Sequence, residues 1–292
     1  MSQKSRAAWG KTAPSEGFRG VYINLDRSLA RRRNMERQLA RLGLAEAYLR
    51  LPAVDGQKLK PVGKLNAGIV GCFRSHLAAL ELARGARASV HIVEDDVIFS
   101  KDTAPFIRHA LAEGTFADYD LVFLDMWIDP VVELVERFIA AAGALSSAPP
   151  LDYSRFSLVD LKGIRIGAAA SYVVSPAKLE KVIGLLTDEL ARGPTVPVDH
   201  FYHLMTESGA LRTAVVVPFL TSIDLAEGAV SQTQTLPVHD HRLFLLLRSA
   251  FYVERDMPGV VIPGMDAYRG EGRRGLSDIR NRLAATAGIP PL

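Results

Sequence analysis

The chain of 292 residues is long enough for one large α/β domain, or one domain with a small appendage. A hydrophobic fraction of 48% with 23% charged residues sets disorder aside and calls for a cored globular protein. A net charge of +3 is too small to imply nucleic acid, and suits anionic substrates or an anionic membrane surface. One cysteine, Cys72, excludes an internal disulfide and points to a reducing compartment. No apolar run reaches the roughly eighteen residues of a membrane span, and Met1 to Gly20 lack a signal-like apolar core.

Residues 1–18 read as a flexible lead. Gly20 to Arg27 reads as a first strand and its exit turn. Ser28 is placed to cap a helix striped by Leu29, Met35, Leu39 and Leu42 and ended by Gly43. Leu49 to Val54 reads as a second strand, closed by the Asp55-Gly56 turn pair. A helix follows over Ile69 to Ala83. The apolar run Ser89 to Val93 then meets three acids, Glu94, Asp95 and Asp96. Such a run reads as a strand buried on both faces. If the extended backbone continues, Glu94 and Asp96 share one side and Asp95 takes the other. Carboxylates at a strand's carboxyl end suit a hard divalent cation that keeps positions open for phosphate oxygens.

Asp102 is placed to cap a helix over Ala104 to Ala112. Tyr119 to Met126 reads as a strand, and Asp129-Pro130 opens a helix through Ala142. The alternation predicts an open, mostly parallel Rossmann-like sheet with helices on its faces. Ser146 to Ser157 reads as a loop, Gly167 to Val174 as a strand, and Ser175-Pro176 as the start of a helix through Leu190. Asp199 is placed to cap a short helix over His200 to Ser208. Leu211 to Val217 reads as a strand and Thr221 to Pro237 as a polar loop. His241 to Val253, apolar with basic flanks, reads as a core element that closes the domain or as an interfacial segment. His203, and the pair His239 and His241, read as surface histidines with metal ligation as the alternative.

Several blocks, in this order, resemble glycosyltransferase family 25, the lipooligosaccharide and collagen galactosyltransferase family. They are Val21-Tyr22-Ile23-Asn24-Leu25-Asp26-Arg27-Ser28 with Arg31, Arg32 and Met35; Pro52-Ala53-Val54-Asp55-Gly56; Gly68 to Leu77 (Gly-Ile-Val-Gly-Cys-Phe-Arg-Ser-His-Leu); and Ile92 to Val97 (Ile-Val-Glu-Asp-Asp-Val). A weaker block spans Gly167 to Pro176 and Pro197-Val198-Asp199. The resemblance covers roughly residues 19–235 and rests on the ordered co-occurrence of the blocks.

The resemblance implies a GT-A fold, a UDP-sugar donor (commonly UDP-galactose), a divalent metal (Mn2+ or Mg2+), inversion at the anomeric carbon, and a lipooligosaccharide or related glycolipid acceptor. It divides the chain into a GT-A domain over 19–240, with a nucleotide-sugar-binding half at 19–142 and an acceptor half at 143–240, and a C-terminal extension at 241–292. Asn24 and Asp26 are then candidates for the uracil or ribose edge, and Arg27 and Arg31 for the diphosphate. Asp55, with Gly56, would accept a ribose hydroxyl. Arg74, Ser75 and His76 would face the donor. Glu94 and Asp96 are the metal candidates, Asp95 a contact to ribose or donor sugar. Asp199 is the candidate base, with Asp125 behind it. Arg33, Arg37 and Arg41 read as a solvated helix face. The expected setting is the bacterial cytoplasm with peripheral contact to the inner membrane. The rivals are a nucleotidyltransferase, which would want a Gly- and Lys-rich phosphate loop where this chain has arginines, and a degenerate family member that binds or scaffolds.

Overall fold

A computed structural model of the protein describes residues 17–127, 132–142, 150–223, 247–248 and 251–254. The strands are β1 (Phe18–Asn24), β2 (Tyr48–Pro52), β3 (Ser89–Glu94), β4 (Val97–Phe99), β5 (Leu121–Phe123), β6 (Ser157–Asp160), β7 (Ser171–Val174), β8 (Thr213–Val217) and β9 (Thr221–Ile223). The helices are α1 (Leu29–Arg41), α2 (Ala67–Ala83), α3 (Thr103–Ala112), α4 (Val132–Ala142), α5 (Pro176–Arg192) and α6 (Val198–Glu207).

The described residues form a seven-stranded mixed sheet in the order β2-β1-β3-β7-β5-β8-β6, flanked by helices. Five strands run in one direction; β7 and β6 run against it. Alternation along the strands sorts the side chains into two cores. Val21, Ile92, Phe123, Tyr172 and Val215 pack with α2, α4, α5 and α6 on one face. Tyr22, Val93, Val122, Val173 and Val216 pack with α1 and α3 on the other. A sheet covered on both faces needs the apolar runs from which its strands were read.

The departures from expectation have local causes. Strand β7 is antiparallel and lies between β3 and β5, so the sheet is less parallel than the βα alternation implies. Thr221–Ile223, expected as loop, pairs antiparallel with β4, because the chain leaving the acid turn needs a partner for its backbone groups. Ser157–Asp160 is an edge strand on β8. Helix α2 starts at Ala67, where the Asn66 side chain accepts from the Ile69 N–H, 2.9 Å. Helix α6 starts at Val198 with Pro197 as its cap, so Asp199 stands in the first turn and does not cap. Gly43, past the end of α1, has φ +71°, which a glycine adopts without strain. The segments 1–16, 128–131 and 224–240 lie outside the described residues. Of the apolar segment from His241, Leu247 and Phe251 are buried in the core on the face covered by α2, α4, α5 and α6. No helix among the described residues is long and apolar enough to cross a membrane.

Candidate functional site

A cavity of about 630 Å³ opens at the carboxyl ends of β1 and β3. The start of β7 reaches the same edge, because that strand runs the opposite way. The N-terminal turns of α2 and α6 point into the cavity through Asn66 to Ile69 and Pro197 to Asp199. Two helix starts at one cavity favour bound anionic oxygen.

The turn after β3 carries the acids. Glu94 is the last strand residue, and Asp95 and Asp96 form the turn into β4. The strand alternation expected to pair Glu94 with Asp96 therefore stops at Glu94; the turn, not the pleat, sets where Asp95 and Asp96 point. Arg31, on α1 and only 8% exposed, holds both: its Nη1 donates to Asp95 Oδ1 at 3.1 Å and to Asp96 Oδ2 at 3.0 Å. Asn24 donates from Nδ2 to Asp95 Oδ2 at 2.7 Å. Both oxygens of Asp95 thus have a partner, whereas the Oδ1 of Asp96 is buried without one.

The charges follow from this geometry. Burial pushes Asp96 up to about 7, with repulsion from Glu94 and Asp95 adding to it and Arg31 and Arg248 opposing. Burial also raises Asp95, against the pull of Asn24 and Arg31. Burial would raise Glu94 too, but the bond from His76 and the nearby arginines outweigh it and hold that carboxyl low. An orphaned carboxylate oxygen beside two further acids is the surplus of negative charge that a hard divalent cation would neutralise. Glu94 and Asp96 fit such an ion; both oxygens of Asp95 already accept a hydrogen bond, from Arg31 and Asn24.

The other predicted residues divide. Arg27, Arg31, Gly56, Ser75, His76 and Asp199 line the cavity. His76 is fully buried, with Nε2 3.1 Å from Glu94 Oε1 and Nδ1 3.0 Å from the Tyr172 hydroxyl. The Ser75 hydroxyl accepts from the Val54 N–H at 2.8 Å and donates to Gly71 O at 2.7 Å, tying α2 to the end of β2. Gly56 and Gly71 permit that approach. A Cβ on Gly56 would meet Ala67 O at 2.6 Å, and one on Gly71 would meet Val54 O at 2.6 Å. Asp199 accepts from the Ala168 N–H at 3.1 Å and from the His200 N–H at 2.9 Å. Ala168 itself has φ +65°, a left-handed conformation that turns its N–H towards Asp199.

Asn24, Asp26, Asp55, Arg74 and Asp125 stand outside the lining. Asn24 is 1% exposed and serves Asp95, with its Oδ1 accepting from Arg50 Nε at 2.9 Å. Asp26 is exposed and pairs with Arg50 at 2.6 Å. Asp55 pairs with Arg27 and accepts from the Gln57 N–H at 3.0 Å, closing the turn after β2. Arg74 is exposed. Asp125 is fully buried and lies outside the cavity lining; its Oδ2 is bound to Arg248, and its Oδ1 has no hydrogen-bond partner. Arg33, Arg37 and Arg41 lie on an exposed helix face. His203 lies on α6 away from the cavity, and His239 and His241 lie outside the described residues.

Sequence reasoning missed Arg248, Trp127 and Cys72 as cavity residues. Arg248 was visible only as a basic flank of an apolar segment. Cys72 precedes His76 by one helical turn, a spacing that puts both side chains on one face. Burial and the neighbouring acids Glu94, Asp199 and Asp96 push its thiol well above its ordinary value. Comparison of the chain with protein-family models and with curated proteins returns no match.

Proposed function

We propose that this protein is an inverting glycosyltransferase on a GT-A-type sheet, related to glycosyltransferase family 25. It would move a hexose, with galactose the first candidate, from a UDP-sugar to a lipooligosaccharide or related surface glycan, at the cytoplasmic face of a bacterial inner membrane. One observation carries the reading: a single cavity collects an acid turn with an orphaned carboxylate oxygen, two arginines and a separate carboxylate on a helix start.

Each part has a task in a single displacement. Glu94 and Asp96 would hold a divalent cation, Mn2+ or Mg2+, which supplies charge neutralisation to the departing diphosphate. Arg27 and Arg31 add cationic charge at the same edge, and the N-terminal turn of α2 adds its dipole. Asp199, its orientation set by two backbone N–H groups, takes the proton from the acceptor hydroxyl. The hydroxyl oxygen bonds to the anomeric carbon as the bond from that carbon to UDP breaks, and UDP leaves with the electron pair.

The deciding experiment is UDP release measured against UDP-galactose, UDP-glucose and other donors, each with and without manganese. Metal-dependent release with one donor supports the reading. Metal-dependent thermal stabilisation by UDP without release from any donor replaces it with a sugar-nucleotide-binding or scaffold role. Turnover of a nucleoside triphosphate with a sugar phosphate replaces it with nucleotidyl transfer.

A further inference from the structure

We infer that Cys72, His76 and Glu94 form a second cation site, selective for a soft or borderline divalent ion such as zinc. Cys72 Sγ, a His76 ring nitrogen and a Glu94 carboxylate oxygen all lie within 4.8 Å of one another. Sγ stands 4.0 Å, and His76 Nε2 3.1 Å, from Glu94 Oε1. Helix α2 supplies the sulfur and nitrogen one turn apart, and β3 supplies the oxygen. A thiolate, an imidazole and a carboxylate make a mixed soft donor set, chemically unlike the all-oxygen set of the acid turn. All three line the cavity, so a fourth position opens to solvent or ligand, as in zinc sites with three protein ligands.

The surroundings of His76 strengthen the case. Its Nδ1 meets the Tyr172 hydroxyl at 3.0 Å, and that hydroxyl meets the Tyr202 hydroxyl at 3.3 Å. A hydroxyl pair can reverse its donor direction. With no ion bound, Nε2–H donates to Glu94 and Nδ1 accepts from Tyr172. With an ion on Nε2, the ring proton sits on Nδ1 and donates to Tyr172, which turns its own proton towards Tyr202. The ring keeps one proton throughout; the Cys72 thiol proton is released to buffer as the sulfur–metal bond forms. A histidine ligand held through its other nitrogen is the usual support for a metal site. The site shares Glu94 with the acid turn, so zinc there would withdraw one carboxylate from the proposed hard cation. The binding claim stands on geometry and does not depend on glycosyl transfer.

The test is a cobalt titration of the full chain, read in the near-ultraviolet for thiolate-to-cobalt charge transfer. Cys72 is the one cysteine of the chain, so any such band reports on this site. The band is expected to saturate at equimolar cobalt and to vanish when zinc is added. Cys72→Ser should abolish it with the far-ultraviolet circular dichroism unchanged. Tyr172→Phe should keep the band and weaken affinity roughly tenfold to a hundredfold. Absence of the band in the wild-type protein overturns the site. So does a band whose cobalt affinity is unchanged in Glu94→Gln and His76→Asn, which would mark adventitious binding to a lone thiol. None of these readouts uses a sugar donor, so their failure is separate from failure of the transferase reading.

Discussion

Strand β3 carries two buried polar clusters, one in its middle and one at its end. In the middle, His91 is fully buried with both ring nitrogens matched: Nδ1 to the Tyr48 hydroxyl at 2.6 Å and Nε2 to the Ser171 hydroxyl at 2.9 Å. Burial drives that imidazole down to about 3, so it stays neutral and every polar atom has a partner. At the end, Asp95 and Asp96 share Arg31, Glu94 meets His76, and one carboxylate oxygen of Asp96 is left alone. The first cluster is a closed structural network. The second is stable only at a cost, and such a cost marks a place where a ligand is expected to complete the set. The two clusters sit on the same strand and differ in whether their hydrogen bonds close.

The sharpest way to break this contrast is at the acid turn. Asp96→Ala is expected to lower metal-dependent UDP release by about a thousandfold, since it removes the carboxylate with the spare oxygen. Undiminished release would strip Asp96 of its metal role. Asp199→Asn should keep UDP binding while transfer falls about a hundredfold or more. Transfer intact with only a lower melting temperature would leave Asp199 a helix-start residue.

The next effect is on stability and tests the closed cluster. The unfolded imidazole titrates near 6.5 and the folded one near 3, so the unfolded chain binds the extra proton between these values. Stability from His91 is therefore complete above pH 6.5 and is lost as pH falls, by about 1.4 kcal/mol per unit across the window. Chemical denaturation at several pH values should show this slope, and His91→Gln should flatten it. An unchanged slope in the variant would deny His91 its buried, neutral state. A smaller effect is expected where α2 packs on the chain leaving β2. Gly71→Ala forces a Cβ against Val54 O, and a loss of roughly 1–3 kcal/mol in urea unfolding should follow. A neutral result would mean that α2 is free to move off the end of β2.

The smallest effect separates the clusters by sign. The Asp96 carboxyl ionises near 3.8 unfolded and near 7 folded, so its ionisation costs stability as pH rises through that window. In metal-free protein at pH 8, Asp96→Asn should raise the melting temperature by roughly 2–4 °C, while the same variant assayed with manganese loses turnover. His91→Gln should instead lower it. A lower melting temperature for Asp96→Asn would mean that the acid turn is as closed as the His91 network.

Periodicity and turn chemistry were enough to read β1, β2, β3, β5 and β8, and helices α1 to α6 to within a few residues. Each of these elements covers a large apolar face, and that pattern is written locally. Arg27, Arg31, Gly56, Glu94 and Asp96 were likewise legible as candidates, because polar residues recur where buried strands end, whereas Ser75, His76 and Asp199, which lie on helices, were candidates only through the resemblance of their blocks to a known family. Which of them share a surface was not legible. Arg31 and Arg33 belong to one arginine run, and the helix register alone turned the first inwards to Asp95 and Asp96 and left the second in solvent. Asn24 and Asp125 carry the same chemistry as their neighbours in the cavity, yet long-range partners, Asp95 and Arg248, absorb them. Strand β7 entered the sheet against the main direction, and no local pattern encodes whether a strand pairs parallel or antiparallel. Cys72 and His76 are one helical turn apart in the chain, but their meeting with Glu94 depends on α2 packing beside β3. Elements follow from short-range patterning of apolar and turn residues; a site follows from which ends of those elements the packed core brings together.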